Sequence, residues 1–309
     1  MVPVRAALIV NPAARAAEAG VAAVQSAAAR LGWQPPLLLP TTVEHPGGQQ
    51  TIEALDAGVD RLIVAGGDGT LRQVAAAVAS HPNSATIPIA VIPVGAGNLV
   101  ARNLGVHPRR LAEAAAVAHS GVVSPLSVGW VSCQVAGVWQ PEVVMLMATG
   151  LGRDAQAVAA VRPWLKRQAG WLAYAEAGGR HAFHPAMPMT ISLDGGPANK
   201  VLAWSVLVGG LPRLPMGVVA FPGATVGADM AQVLHVHVHH PLEWLPVAVK
   251  GLAHTTADVA ALNYWTASDV VVRPDRPAVV QIDGDVVADV QQLRVRWQPK
   301  AVTVLRPRL

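Results

Sequence analysis

A chain of 309 residues can form two ordinary domains or one large one, and it can bury a core without disulfide staples. Hydrophobic residues make up 52% and charged residues only 14%, which excludes an intrinsically disordered chain and a charge-driven nucleic-acid arm, so no nucleic-acid partner is expected. The 23 Lys and Arg against 19 Asp and Glu give a net charge of +4, a mild attraction to phosphates or acidic lipid headgroups that does not choose between them.

A mean hydropathy of +0.38 raises the membrane question. Every long apolar run is interrupted by Gly, Pro, Ser or a charge before about 18 clean residues accumulate, so no transmembrane helix is expected. Cys133 is the single cysteine, which excludes an intrachain disulfide and a Cys-based zinc site; a reducing, cytoplasmic setting is expected. The opening residues, Met1 to Pro12, carry one Arg and a short apolar run before Asn-Pro, and read as a first strand rather than a signal peptide.

In chain order, apolar runs at Ala6–Val10, Leu37–Pro40, Arg61–Ala65 and Ile87–Val94 alternate with Ala-rich helical stretches over 16–31, 49–57 and 70–79. This alternation predicts an α/β domain with a parallel sheet, whose ligand binds at the carboxyl ends of its strands. Three of those ends carry Asn11-Pro12, Gly66-Gly67-Asp68-Gly69-Thr70 and Gly95-Ala96-Gly97-Asn98. After residue 122 the texture changes to short Val-rich runs, at Val143–Ala148, Met189–Leu193, Val201–Val208, Val233–Val238, Val270–Val272 and Val279–Ile282, which predict an antiparallel β-sandwich. A helix over 162–178, bearing Trp164, Lys166, Arg167, Trp171 and Tyr174, interrupts it. That cluster suits a helix lying on an anionic bilayer as well as one burying its Trp side chains. Residues 294–305 read as a strand pair. The expected division is therefore an α/β domain over 1–122, to which 295–309 return, and a β domain over 123–294.

Glycines at a strand-to-helix turn let backbone N–H groups approach a phosphate, and the helix N-terminus adds its positive dipole end. In Gly66–Thr70 the carboxylate of Asp68 would sit beside a polyphosphate, where it is unfavourable unless it organises a metal or takes a proton. A Gly-rich turn with Asp as an ordinary helix cap accounts for this pentapeptide equally well. A second Gly-rich loop, Gly95–Asn98, at the neighbouring strand end makes a nucleotide cradle the better explanation of the pair.

These motifs resemble, in kind and in order, those of the diacylglycerol kinase-like lipid kinases, bacterial soluble enzymes related to sphingosine kinase. The resemblance runs from Asn11-Pro12 and the two Gly-rich loops through Gly150-Leu151-Gly152-Arg153-Asp154-Ala155, Leu165 to Tyr174 and Pro222-Gly223-Ala224 to Asp283-Gly284-Asp285. It implies that Asn11, Pro12, Thr41, Gly66, Gly67, Asp68, Gly69, Thr70, Gly95, Gly97 and Asn98 contact ATP, and that Asp68 handles the magnesium–phosphate unit. It also implies that Asp285, where the family carries Glu, deprotonates a lipid hydroxyl. Catalysis is then expected in the cleft between the domains, with ATP and Mg²⁺ as cofactors, diacylglycerol as first substrate and an anionic membrane as peripheral partner.

The sequence departs from the family at several positions. Ala96 stands for Thr, Ser127 for Asp and Arg153 for an aromatic. Ala228 stands where the family places a structural magnesium on an Asp, with Asp229 one position off as the candidate ligand. Two other readings compete. An NAD kinase or phosphofructokinase-like enzyme shares the Gly-Gly-Asp-Gly loop, and a lipid- or nucleotide-binding protein with little turnover fits the missing acidic groups. His235, His237 and His239 lie at period two and are expected on a solvated strand face. Asp154 is expected to cap the helix that follows it.

Overall fold

The computed structural model describes residues 4–82, 86–160, 182–253 and 255–308. The chain divides into one unit of Met1–Ser127 with Lys300–Leu309 and another of Val128–Pro299. The helix expected over 162–178 lies outside the described residues.

The first unit alternates β1 (Ala6–Val10), α1 (Ala17–Arg30), β2 (Leu37–Pro40), α2 (Gly48–Asp56), β3 (Arg61–Gly66), α3 (Asp68–Ser80), β4 (Pro88–Pro93), α4 (Leu99–Asn103) and α5 (Leu111–Ser120). β2, β1, β3 and β4 pair in parallel in that order. All five residues of β1 are buried, as a strand covered on both faces requires. α1 buries a stripe of Ala17, Gly20, Val24, Ala27 and Ala28, and α3 one of Thr70, Leu71, Val74, Ala75 and Val78; the three- and four-residue steps are those of a one-sided helix. α1 packs on α5 and α2 on α3.

The residues expected to end the chain as a strand pair instead form the last part of one strand, β16 (Asp285–Arg306). Lys300 has a φ of 51°, and beyond it Thr303 and Val304 pair in parallel with Pro88 and Ile89 of β4. Ala301, Val302, Val304 and Leu305 are buried there.

The second unit is antiparallel. β5 (Val122–Val135) begins in the first unit and continues into this one; β6 (Val138–Trp139) and β7 (Val143–Met145) pair with it. The chain then forms β8 (Ala148–Gly152), α6 (Arg153–Ala159), β9 (Met187–Leu193), β10 (Asn199–Ala203), β11 (Ser205–Gly209), β12 (Ala231–Val236), α7 (Trp244–Ala253), β13 (Leu262–Ala267), β14 (Asp269–Pro274) and β15 (Ala278–Ile282). One run of strands is β13-β12-β11-β8-β15-β16 and another is β10-β9-β14-β16. The shared β16 joins two layers around a core that includes Val131, Leu151, Ile191, Val208, Val233, Val272, Val280 and Leu293. A second apolar cluster gathers Trp204, Leu207, Phe221, Leu234 and Val259, with Trp244 of α7 packed on it.

Two expected strands are split. The stretch 143–148 is divided between β7 and β8, and 201–208 between β10 and β11 at Trp204. α7 was not anticipated, because Pro246, Gly251 and two valines mask its helical period. Among the described residues, no helix is long and apolar enough to cross a membrane.

Candidate functional site

Only Gly67 separates β3 from α3, so the chain turns from strand to helix within one residue. No side chain caps the first turn of α3, whose leading N–H groups have no partner within the helix. The second loop lies directly against the first: a Cβ built on Gly95 would lie 2.5 Å from the Gly67 Cα. Gly66 is held small by Thr70, whose Cβ would lie 2.8 Å away, and Gly97 by the Asp68 carboxylate at 3.1 Å. Gly69 differs, since a Cβ there meets nothing of the chain within 4 Å. Packing explains the other three glycines and does not explain Gly69.

Asp68 does not cap its own helix. Its two carboxylate oxygens accept the Leu99 and Val100 N–H groups, each at 3.0 Å, so the first loop caps the helix that follows the second. A carboxylate at that helix start is favourable through both hydrogen bonding and the dipole. Each oxygen retains lone-pair capacity for a further partner. Asn98 is buried in the left-handed region, with φ 50°. Its Oδ1 accepts the Gly95 N–H at 3.0 Å, and its Nδ2 donates to Gly95 O at 2.6 Å and Pro93 O at 3.4 Å. Its amide thus shapes the loop from inside. Arg102, to which the motif reading assigns no role, donates from Nε to Gly97 O at 3.2 Å and brings a guanidinium to this loop.

The flanking residues serve the same strand ends. The Asn11 N–H donates to Ala65 O at 2.9 Å, and its Oδ1 accepts the Ala13 N–H at 3.0 Å, closing the turn around Pro12. Thr41 is buried and donates its N–H to Val10 O at 2.7 Å. Thr70 is buried over Gly66. A cavity of about 490 Å³ lined by Gly105, His107, Glu113, Pro307 and Arg308 contains none of the loop residues.

In the second unit, Asp283 and Gly284 link β15 to β16 as a two-residue turn with φ of 49° and 91°, the geometry that Asp-Gly favours between antiparallel strands. The Asp283 carboxylate accepts three backbone N–H groups, from Leu146 at 2.8 Å, Met147 at 2.9 Å and Ala148 at 3.0 Å. Asp285, the first residue of β16, is exposed. Asp154 lies in the first turn of α6, but capping is not its main work. Its Oδ1 accepts the Ser205 hydroxyl at 2.6 Å. Burial pushes its pKa up to about 6, with the Ser205 hydrogen bond the largest opposing effect.

The expected solvated histidine face is corrected at His235, which is buried beneath Trp265, stacked at 5.6 Å and 12°; His237, half-buried, and His239, exposed, follow at centroid spacings of 5.0 and 6.0 Å. Trp265 pairs with Val233, two residues from His235, and so reaches it diagonally. Ser127 is buried, and its Oγ accepts the Lys300 N–H at 2.9 Å. The stretch 225–228 forms a turn closed by Ala228 N–H to Thr225 O at 3.0 Å, and Asp229 beside it is exposed. Among the described residues, no group of three or more His, Cys, Asp or Glu is placed to hold a metal ion.

Residues 5–131 match the sequence pattern of the diacylglycerol kinase catalytic domain. The diacylglycerol kinase of Bacillus subtilis (strain 168) is 34% identical over 130 residues, which are 41% of this chain and 39% of that protein; the match spans about two fifths of that relative's length. Two crystal structures of Bacillus anthracis str. Sterne proteins bearing the diacylglycerol kinase name share the fold. They have TM-scores of 0.76 and 0.69, with 20% and 18% identity, over 98% of this chain and 97% and 96% of theirs. An NAD kinase from Archaeoglobus fulgidus in complex with ATP has a TM-score of 0.50 at 13% identity, over 98% of this chain and 93% of its own.

Proposed function

We propose, from the match of residues 5–131 to the diacylglycerol kinase catalytic domain, that the chain transfers the γ-phosphoryl group of ATP to a lipid hydroxyl, with diacylglycerol as first acceptor. The observation that carries this reading is the pair of interlocked glycine loops: Asp68 ties them together, and Gly69 is left open where nothing in the chain needs it to be a glycine.

The loop residues divide the work. The uncapped first turn of α3 presents N–H groups to phosphate oxygens, Gly69 lets them approach, and Arg102 adds positive charge beside the second loop. Magnesium carried on the phosphates would meet Asp68 among these residues and would neutralise the charge of the transferring group. Asp285 takes the proton from the lipid hydroxyl. The oxygen then bonds to the γ-phosphorus as the bond to the β–γ bridging oxygen breaks, and ADP leaves. The acceptor would be met at a membrane surface, toward which the net charge of +4 is attracted when headgroups are anionic.

The test is to incubate the protein with γ-labelled ATP and, in parallel, a total lipid extract, diacylglycerol in mixed micelles, and NAD. Label in a lipid, and in phosphatidic acid when diacylglycerol is supplied, is expected. Label in NAD alone, or no transfer to any acceptor, would overturn the reading.

A further inference from the structure

The stretch from Pro241 to Ala253 builds a helix that is apolar on both of its sides. A 3₁₀ turn, Pro241–Glu243, leads straight into α7. One side faces the second apolar cluster: Trp244 meets Trp204 edge-on at 4.8 Å, Val247 packs on the same cluster, and a Cβ on Gly251 would lie 3.8 Å from Val218. Steps of three and four residues mark these as one stripe. The single charged side chain of α7, Lys250, turns to the protein as well. It is only 5% exposed, donates from Nζ to the Tyr264 hydroxyl at 3.1 Å and stands 5.0 Å from the centre of that ring.

A surface helix normally carries its charges on the outer side, and here that side carries none. Pro241, Leu242, Leu245, Pro246, Ala248 and Val249 are all exposed, with Leu242 at 73%, Leu245 at 67% and Val249 at 55%. Glu243 does not interrupt them, because its carboxylate folds back to accept the His239 N–H at 2.7 Å and the His240 N–H at 3.4 Å. The Trp244 indole N–H donates to Ala182 O at 2.6 Å, which brings the exposed Phe183 to the head of the helix. Lysine inward and leucine outward is the reverse of the arrangement that water selects, and a helix apolar all round is one with an apolar environment on every side.

We infer that the outer side of α7 is a docking face for a lipid bilayer, with the helix lying in the plane of the interface and Leu242, Leu245 and Val249 entering the upper acyl chains. Size decides against a protein partner. Ten residues of helix make a strip about 15 Å long, whose exposed apolar area is on the order of a few hundred Å². A stable protein complex buries roughly 800 Å² on each partner. Shallow insertion, about 5–10 Å deep, suits such a strip, since the helix satisfies its own backbone groups and brings no charge with it. The net charge of +4 adds attraction to anionic headgroups. This face gives the membrane encounter of the proposed reaction a named surface, yet docking needs neither ATP nor acceptor, so its test stands even if the kinase reading fails.

The full chain is sedimented with phosphatidylcholine vesicles, with and without phosphatidylglycerol. Binding to both is expected, tighter with the anionic lipid. Leu245→Asp, at an exposed position, is expected to keep the melting temperature and to weaken binding to both vesicles about tenfold or more. Val249→Asn is expected to act in the same direction and carries the test should Leu245→Asp not fold. Location is read separately. Cys133 is the only cysteine and is buried, so a polarity-sensitive dye on Val249→Cys reports the helix alone. Its emission is expected to move to the blue when vesicles are added, while the same dye on Val138→Cys, at an exposed valine of β6, does not respond. Failure to sediment with either vesicle, wild-type binding in both variants, or equal dye shifts at the two positions would overturn the inference. So would a lipid-free dimer that Leu245→Asp dissociates, because a second copy of the chain would then be what covers this face.

Discussion

A methyl group added at Gly69 would meet nothing of the chain, whereas one added at Gly95 would strike the backbone of Gly67. The two glycines therefore answer different demands, and substitution separates them. Gly69 lies in the first turn of α3, where alanine is at least as good a helix residue. Gly69→Ala is expected to keep the melting temperature of the nucleotide-free protein. It should weaken ATP binding by about tenfold or more, with a correspondingly smaller rise in melting temperature on adding ATP. Thermal denaturation with and without ATP, together with titration calorimetry, measures both. Unchanged ATP affinity would place the phosphates elsewhere. Asp68 shows where reasoning from sequence stops at this scale. Its type and its place in a Gly-rich turn marked it as a carboxylate beside phosphate, but its partners, the Leu99 and Val100 amides, lie 31 and 32 residues away. No local pattern reveals which of two nearby helices a loop carboxylate caps.

At the level of elements, the α/β alternation was legible because parallel strands buried on both faces read as unbroken apolar runs, such as Ala6–Val10 and Arg61–Gly66. The antiparallel half was harder. Residues 294–305 alternate cleanly until Pro299 and Lys300, where the left-handed φ of 51° shifts the pattern, and one continuous strand then looks like two. His235 looked solvated because the side chain that covers it, Trp265, comes from a different strand. The tie between Asp154 of α6 and Ser205 of β11 has a consequence in pH. Asp154 has a folded-state pKa raised to about 6 by burial, so the folded state holds its proton more tightly than the unfolded state does. Its contribution to stability is fully present below the unfolded carboxylate pKa and is lost as pH rises through about 6. Asp154→Asn has no such loss. Its melting temperature relative to wild type is expected to increase between pH 4.5 and pH 7.5, as scanning calorimetry at the two values would show. A difference that stays constant with pH would contradict the raised pKa.

For the molecule as a whole, the texture change near residue 122 points to two units. The structure sets their limits at Ser127 and Val128, and at Pro299 and Lys300, because β5 and β16 run on through the change in composition. The chemistry proposed divides along the same line, with ATP assigned to loops of the first unit and the proton to a turn of the second. Asp285 is therefore the residue on which the account depends most directly. It is one methylene shorter than the Glu of the family it resembles, so its carboxylate reaches roughly 1.5 Å less far. General-base catalysis needs the carboxylate within about 2.6–3.2 Å of the hydroxyl, or one water away. The decisive measurement is phosphorylation of diacylglycerol by Asp285→Ala beside wild type, with ATP affinity determined on the same preparations. The account predicts that transfer to the lipid is abolished while ATP affinity stays nearly unchanged, and that Asp285→Glu retains some turnover. Wild-type transfer in Asp285→Ala, or a loss of ATP affinity as large as the loss of turnover, would contradict it.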